Sequence, residues 1–90
     1  MVKEKKQSLS RSQQNISKIK ELVLYNDDVN TFDFVIETLM ITCNHELEQA
    51  EQCALITHYR GKCAVKSGAF DKLKPIFDEI TNRGLTVAIE

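Results

Sequence analysis

Leu24-Tyr25-Asn26-Asp27-Asp28-Val29-Asn30-Thr31-Phe32-Asp33-Phe34 is the stretch on which the fold of this chain turns. Leu22-Val23-Leu24-Tyr25 is apolar and partly β-branched, with charges before it and turn residues after it, so it predicts a first strand. Asn26-Asp27-Asp28 has turn chemistry. Asn30 suits a helix N-cap, with Asp33 three positions on as in a capping box. Acids near a helix start also complement its dipole. The helix is expected over about residues 31–43, because Phe34, Val35, Leu39 and Thr42 recur at helical spacing.

The rest of the chain extends the pattern in both type and order. Asn44 restarts a helix as a cap, and Glu46, Glu48 and Glu51 load its first turns with acid. Leu47, Ala50, Ala54 and Thr57 form one face, flanked by Cys53 and Ile56. His58-Tyr59-Arg60-Gly61 carries a helix stop. Lys62-Cys63-Ala64-Val65 then reads as a short second strand. Ser67 can cap a third helix in which Phe70, Leu73, Phe77 and Ile80 share a face. Pro75 falls inside that pattern and is expected to kink the helix or divide it. Asn82-Arg83-Gly84 ends it, and Leu85 to Ile89 make a third strand. The order is β-α-α-β-α-β. An α+β fold follows, with a three-stranded, mainly antiparallel sheet packed on one side against three helices.

Ninety residues, 42% of them hydrophobic, are one small domain. No apolar run approaches the roughly 18 residues of a membrane span. The first residues are charged and lack an apolar signal core, so a cytoplasmic protein is expected, and a monomer. Net charge is −1 but unevenly placed. Lys3, Lys5, Lys6, Arg11 and Lys18 stand against Glu4 alone in residues 1–18, while the remainder is acidic. A basic, Ser- and Gln-rich tail over residues 1–18 and a folded core over 19–90 are therefore expected. An acidic globule is a poor nucleic-acid binder. Asn15-Ile16-Ser17 matches a glycosylation sequon that a cytosolic chain would not use. Cys43, Cys53 and Cys63 are odd in number and lie in apolar patterns, which argues for free thiols packed as small hydrophobes.

Several chemistries are disfavoured by spacing. Cys53, His58 and Cys63 do not form zinc knuckles, and Cys53 and His58 do not share a helix face, so no metal and no cofactor is expected. A Cys–His nucleophile would need an orienting third group that the sequence does not offer. On their own, Asn26-Asp27-Asp28 is an ordinary turn, His58 a dipole-stabilising or packing residue, Phe32 a core or staple residue, and Lys74 a solvated charge.

Taken together, Asn26-Asp27-Asp28 before a capped helix with Phe34-Val35, and His58-Tyr59-Arg60-Gly61-Lys62 downstream, resemble the ClpS family of adaptor proteins. The resemblance covers about residues 19–90. It implies a non-enzymatic adaptor that binds proteins with a destabilising, bulky hydrophobic first residue (an N-degron). It would deliver them to a Clp-type AAA+ unfoldase, ClpA- or ClpC-like. It implies that Asn26, Asp27 and His58 hold the substrate's free α-amino group, with Asn30 beside them. It places Phe32 at a gate against β-branched side chains. Val35, Ala54, Thr57 and Leu85 would line the side-chain pocket. Lys74 matches a basic residue that contacts the unfoldase, and the basic tail would engage it too. The C-terminal domain of the ribosomal stalk protein has a similar layout.

This chain departs from the family pattern at the pocket. The usual Thr-Pro is Asn30-Thr31, the gate Met is Phe32, and a Met and a Val of the wall are Ala54 and Thr57. Either the Phe32 ring fills the space that Ala54 vacates, or the pocket is wider. The same departures keep open a second reading: an interaction module of this fold that binds an unfoldase or another partner without reading N-termini. The amine chemistry itself is simple. An α-amino group with a pKa near 8 is mostly protonated at neutral pH. It offers three donors, for which Asp27 supplies charge, and the Asn26 oxygen and a neutral His58 nitrogen supply direction.

Overall fold

The computed structural model describes residues 18–90. The expected tail over residues 1–18, and the sequon within it, fall almost wholly outside them. The elements are β1 (Ile19–Tyr25), α1 (Phe32–Thr42), α2 (Leu47–Arg60), β2 (Lys62–Ala69), α3 (Phe70–Asn82) and β3 (Thr86–Ile89). The β-α-α-β-α-β order is as expected. The sheet has the order β2-β1-β3, and both pairings are antiparallel.

β1, the central strand, carries the most buried residues of the three, Leu22, Val23 and Leu24, and both of its edges are paired. Leu22 and Leu24 are 0% and 1% exposed and join the core cluster with Leu39, Leu73, Ile80 and Leu85. β1 begins three residues earlier than its apolar run, and β2 continues four residues past Val65. The extra segments pair with each other, Ile19 with Ala69 and Glu21 with Ser67. Ser67 is thus a strand residue, not a helix cap. Ala69 holds the N-cap position of α3 without a side-chain bond.

The caps differ from the sequence expectation in other places. Thr31, not Asn30, caps α1: it is extended, and its hydroxyl accepts from the Phe34 N–H at 3.1 Å. Asn30 is unavailable because its side chain is bonded elsewhere, as described below. Thr31→Ala should therefore destabilise the fold by about 1 kcal/mol in urea unfolding; an undiminished midpoint would contradict this cap. Asn44 does not cap α2 either. It takes a left-handed conformation at φ 59, and Glu46 stands at the N-cap without a side-chain bond.

Packing faces are also shifted. Ala50, Cys53, Ala54 and Thr57 are the buried residues of α2, while Leu47 is 52% exposed. In α3, Leu73 and Ile80 are buried, Phe77 is half-buried and Phe70 is 52% exposed. Pro75 lies inside a single α3 and does not divide it. Pro75 and Asp71 are both exposed, so the Asp71 carbonyl that loses its donor lies on the solvent side. Cys43 and Cys53 are buried free thiols, and Cys63 is half-buried.

Candidate functional site

The two sequence motifs are joined by the backbone. α2 ends at Gly61, whose φ of 92 is the left-handed conformation that favours glycine. The turn brings the Gly61 carbonyl to the Asn26 N–H, which donates to it at 2.9 Å. Tyr25 pairs with Lys62 in the same ladder. The last turn of α2, carrying His58, is thereby held against the turn that follows β1.

That turn is built on Asp27. Its Oδ1 accepts from the N–H groups of Val29 and Asn30, each at 2.9 Å. Its Oδ2 accepts from the Asn30 amide at 3.0 Å. The same Asn30 Nδ2 donates to the Gly84 carbonyl at 3.0 Å, tying the turn to the segment before β3. Partial burial pushes the Asp27 carboxyl upward, but the bonds from Asn30 and Val29 outweigh it and hold the pKa below the ordinary carboxylate value. Asp27 is therefore an anion at neutral pH. About four acceptor positions belong to a carboxylate, and three are filled, which leaves room for one further donor.

Around this turn lies a cavity of about 460 Å³, a size that suits a small ligand or one side chain with its terminus. Asn26, Asp27, Asp28 and Asn30 line it from the turn, Phe32 and Val35 from α1, and Ala54, Thr57 and His58 from α2. Leu85 closes it from the far end of the chain, with Leu24 and Tyr25 from β1. All nine residues expected at the amine site and side-chain pocket thus face one space. Leu24, Tyr25 and Asp28 were not expected there; their place beside Asn26 and Asp27 was the available signal. The Tyr25 hydroxyl donates to the Glu90 carboxylate, and this bond, then burial, raises its pKa.

Phe32 is 44% exposed, whereas Ala54 is 3% exposed. Both line the same cavity, the Phe32 side chain partly open to solvent and Ala54 at its buried wall. Asn30 acts through hydrogen bonds that fix Asp27 and the approach to Leu85.

Lys74 lies elsewhere. It borders a second, mainly apolar groove of about 370 Å³ with Phe70, Phe77, Val87, Ala88 and Ile89. Its ammonium pairs with Asp78 at 2.6 Å and lies 5.4 Å from the centre of the Phe77 ring. Both partners of the ion pair are about half exposed, so the pair is weak and easily exchanged for another.

Two of the three thiols are held protonated by burial. Burial, with Cys63 adjacent, pushes the Cys53 thiol up to about 12, and burial also raises that of Cys43. A thiol kept protonated is neither nucleophile nor metal ligand. Among the described residues no group of three or more His, Cys, Asp or Glu could hold a metal ion. Among them, too, no helix is long and apolar enough to cross a membrane. Two buried polar residues escaped the sequence reading, Thr38 at 0% and His45 at 7% exposed, and the Nε2 of His45 lies 2.7 Å from the Val65 carbonyl oxygen. His45 braces the α1–α2 connection against β2 and is not among the residues lining the cavity.

Comparison with known proteins gives a consistent result. The family model for the ATP-dependent Clp protease adaptor protein ClpS matches residues 17–88. The chain is similar to the ClpS adapter protein of Campylobacter jejuni strain RM1221, 35% identical over 92 aligned residues that cover 96% of each chain. It is similar to that of Pectobacterium carotovorum, at 37% over 57 residues, 61% of this chain and 54% of the relative. Its fold resembles the structure of Agrobacterium tumefaciens ClpS2 bound to L-phenylalaninamide, with a TM-score of 0.70 and 23% identity, over 81% of this chain and 95% of the other. With the strand–turn–helix junction, the helix end and the cavity between them in place, the chain belongs to the ClpS family of Clp protease adaptor proteins.

Proposed function

We propose that this adaptor reads the first residue of its substrates, holding the free α-amino group with Asn26, Asp27 and His58 and the first side chain among Phe32, Val35, Ala54, Thr57 and Leu85. The observation that carries this reading is convergence. Three segments far apart in sequence bring an ionised carboxylate, an amide, an imidazole and an apolar wall to one cavity. An ammonium beside an apolar side chain is the ligand that uses both halves. L-phenylalaninamide, the ligand in the Agrobacterium structure, is a molecule of that type. Charge-assisted hydrogen bonds contribute about 1.5–3 kcal/mol each, and burying a Leu or Phe side chain adds about as much. Ordering the peptide offsets much of the sum, leaving the readily reversible binding that delivery requires.

In this reading the chain is not an enzyme. It passes its cargo to a Clp-type AAA+ unfoldase, with Lys74, at the second groove, as a contact. Lys74 suits that role because its present ion pair is exposed and weak.

The test is a fluorescence anisotropy titration with labelled peptides led by Leu, Phe, Tyr, Trp or Ile, each free and acetylated. Acetylation removes the charge and two donors, so the free peptide should bind at least tenfold more tightly than its acetylated twin. Equal binding of the two forms would refute amine recognition and leave an adaptor that does not read N-termini.

A further inference from the structure

We propose that Thr57 determines side-chain specificity in this cavity, and that it favours a first residue ending in a hydrogen-bond donor, tyrosine above phenylalanine. The inference rests on the N-terminal reading above and names the substrate class of the same site.

Thr57 lines the cavity and is 4% exposed. Its neighbours on the wall, Leu24, Val35, Ala54 and Leu85, carry no polar side-chain atom. A hydroxyl has one donor and two acceptor positions. The Thr57 proton is committed, since Oγ1 donates to the Cys53 carbonyl at 2.7 Å. What remains is acceptor capacity, on a residue that lines the cavity together with these apolar side chains. A ligand tip that donates gains a partner there, and a tip without a donor leaves that capacity unused.

The placement along α2 agrees. His58 stands at the amine end. Thr57 precedes it, and the bond to Cys53 turns Oγ1 back along the helix axis, towards the previous turn about 5.4 Å away. That direction leads away from the amine and towards Ala54, on the same helix face three positions earlier. Ala54 is small, which leaves room for a ring in the cavity that Thr57 and Phe32 also line. The Phe32 ring also gives an aromatic first residue an edge-to-face partner that an aliphatic one cannot use as well.

The experiment compares peptides identical except for Tyr, O-methyltyrosine or Phe at the first position, each free and acetylated, on the full chain and on Thr57→Val and Thr57→Ser. On the unaltered chain Tyr should bind roughly two- to tenfold more tightly than Phe, the worth of one neutral hydrogen bond. O-methyltyrosine, which has the oxygen but no proton, should fall to the Phe level or below. The Tyr-to-Phe ratio should drop to about one in Thr57→Val and persist in Thr57→Ser. A ratio near one on the unaltered chain, or a ratio unmoved by Thr57→Val, overturns the inference while free peptides still bind better than acetylated ones. If free and acetylated peptides bind alike, the amine reading itself has failed, and this inference with it.

Discussion

Asp27→Ala should reduce the affinity for a free N-terminal Leu or Phe peptide by roughly ten- to a hundredfold, the worth of one hydrogen-bonded charge. The effect has two sources, which can be separated. The carboxylate carries the negative charge opposed to the ammonium, and it also organises the turn through Val29 and Asn30. Asn30→Ala removes the side-chain bond to Asp27 and the tie to Gly84 but leaves the charge. It should weaken binding less than Asp27→Ala, and more evenly for free and acetylated peptides. Asp27→Ala should instead erase the difference between those two forms. A variant that still prefers the free peptide tenfold would show that the charge is not the amine's partner.

The pH dependence has a defined sign. The folded pKa of Asp27 lies below its ordinary value, so the turn's stabilisation is fully present above about 3.9, the ordinary aspartate value. It is lost as pH falls through the folded pKa. The stability difference between the unaltered chain and Asp27→Ala should therefore shrink in urea titrations below about pH 4. At the other end, peptide binding should weaken above about pH 8, where the α-amino group loses its proton.

What the sequence disclosed and what it withheld follow one physical division. Strands and helices were legible because apolar periodicity is local, and the residues that meet at the cavity's turn and helix end sit in two short motifs. The caps were less legible because a capping side chain is shared between local and distant acceptors. Asn30 is a good N-cap by type, but Gly84, 54 positions away, accepts from the same amide as Asp27. The helix start then falls to Thr31. The extension of β2 was hidden because Lys66-Ser67-Gly68 is polar and pairs with the exposed start of β1. An edge strand with solvated side chains shows no apolar alternation. His45 was hidden for the same reason as Asn30, since its partner is the carbonyl of Val65, twenty positions on. The openness of the pocket depends on where one ring points, which Phe32 and Ala54 do not reveal as letters.

Ile80→Ala should be among the most destabilising single changes to the fold. Ile80 is 0% exposed on α3, the helix that packs against all three strands, and belongs to the core cluster. Truncating a buried Ile to Ala costs about 2–5 kcal/mol, the lost burial plus the cavity left behind. A domain of this size has in all only about 5–10 kcal/mol to lose, so the variant should be largely or partly unfolded at 37 °C. The Ile80 carbonyl also accepts from the N–H groups of Arg83 and Leu85, at 3.1 and 3.3 Å, in the turn that delivers Leu85 to the cavity. Loosening α3 therefore reaches the binding site through Leu85 and the Asn30–Gly84 bond. Urea unfolding at 25 °C should show the midpoint falling by at least about a fifth with an unchanged slope. In the folded fraction, peptide affinity should drop only a fewfold, because the amine site rests on β1 and α2. A midpoint within a tenth of the unaltered chain's would show that α3 is not the keystone of this core, and a full loss of peptide binding in a folded variant would move the recognition site towards α3.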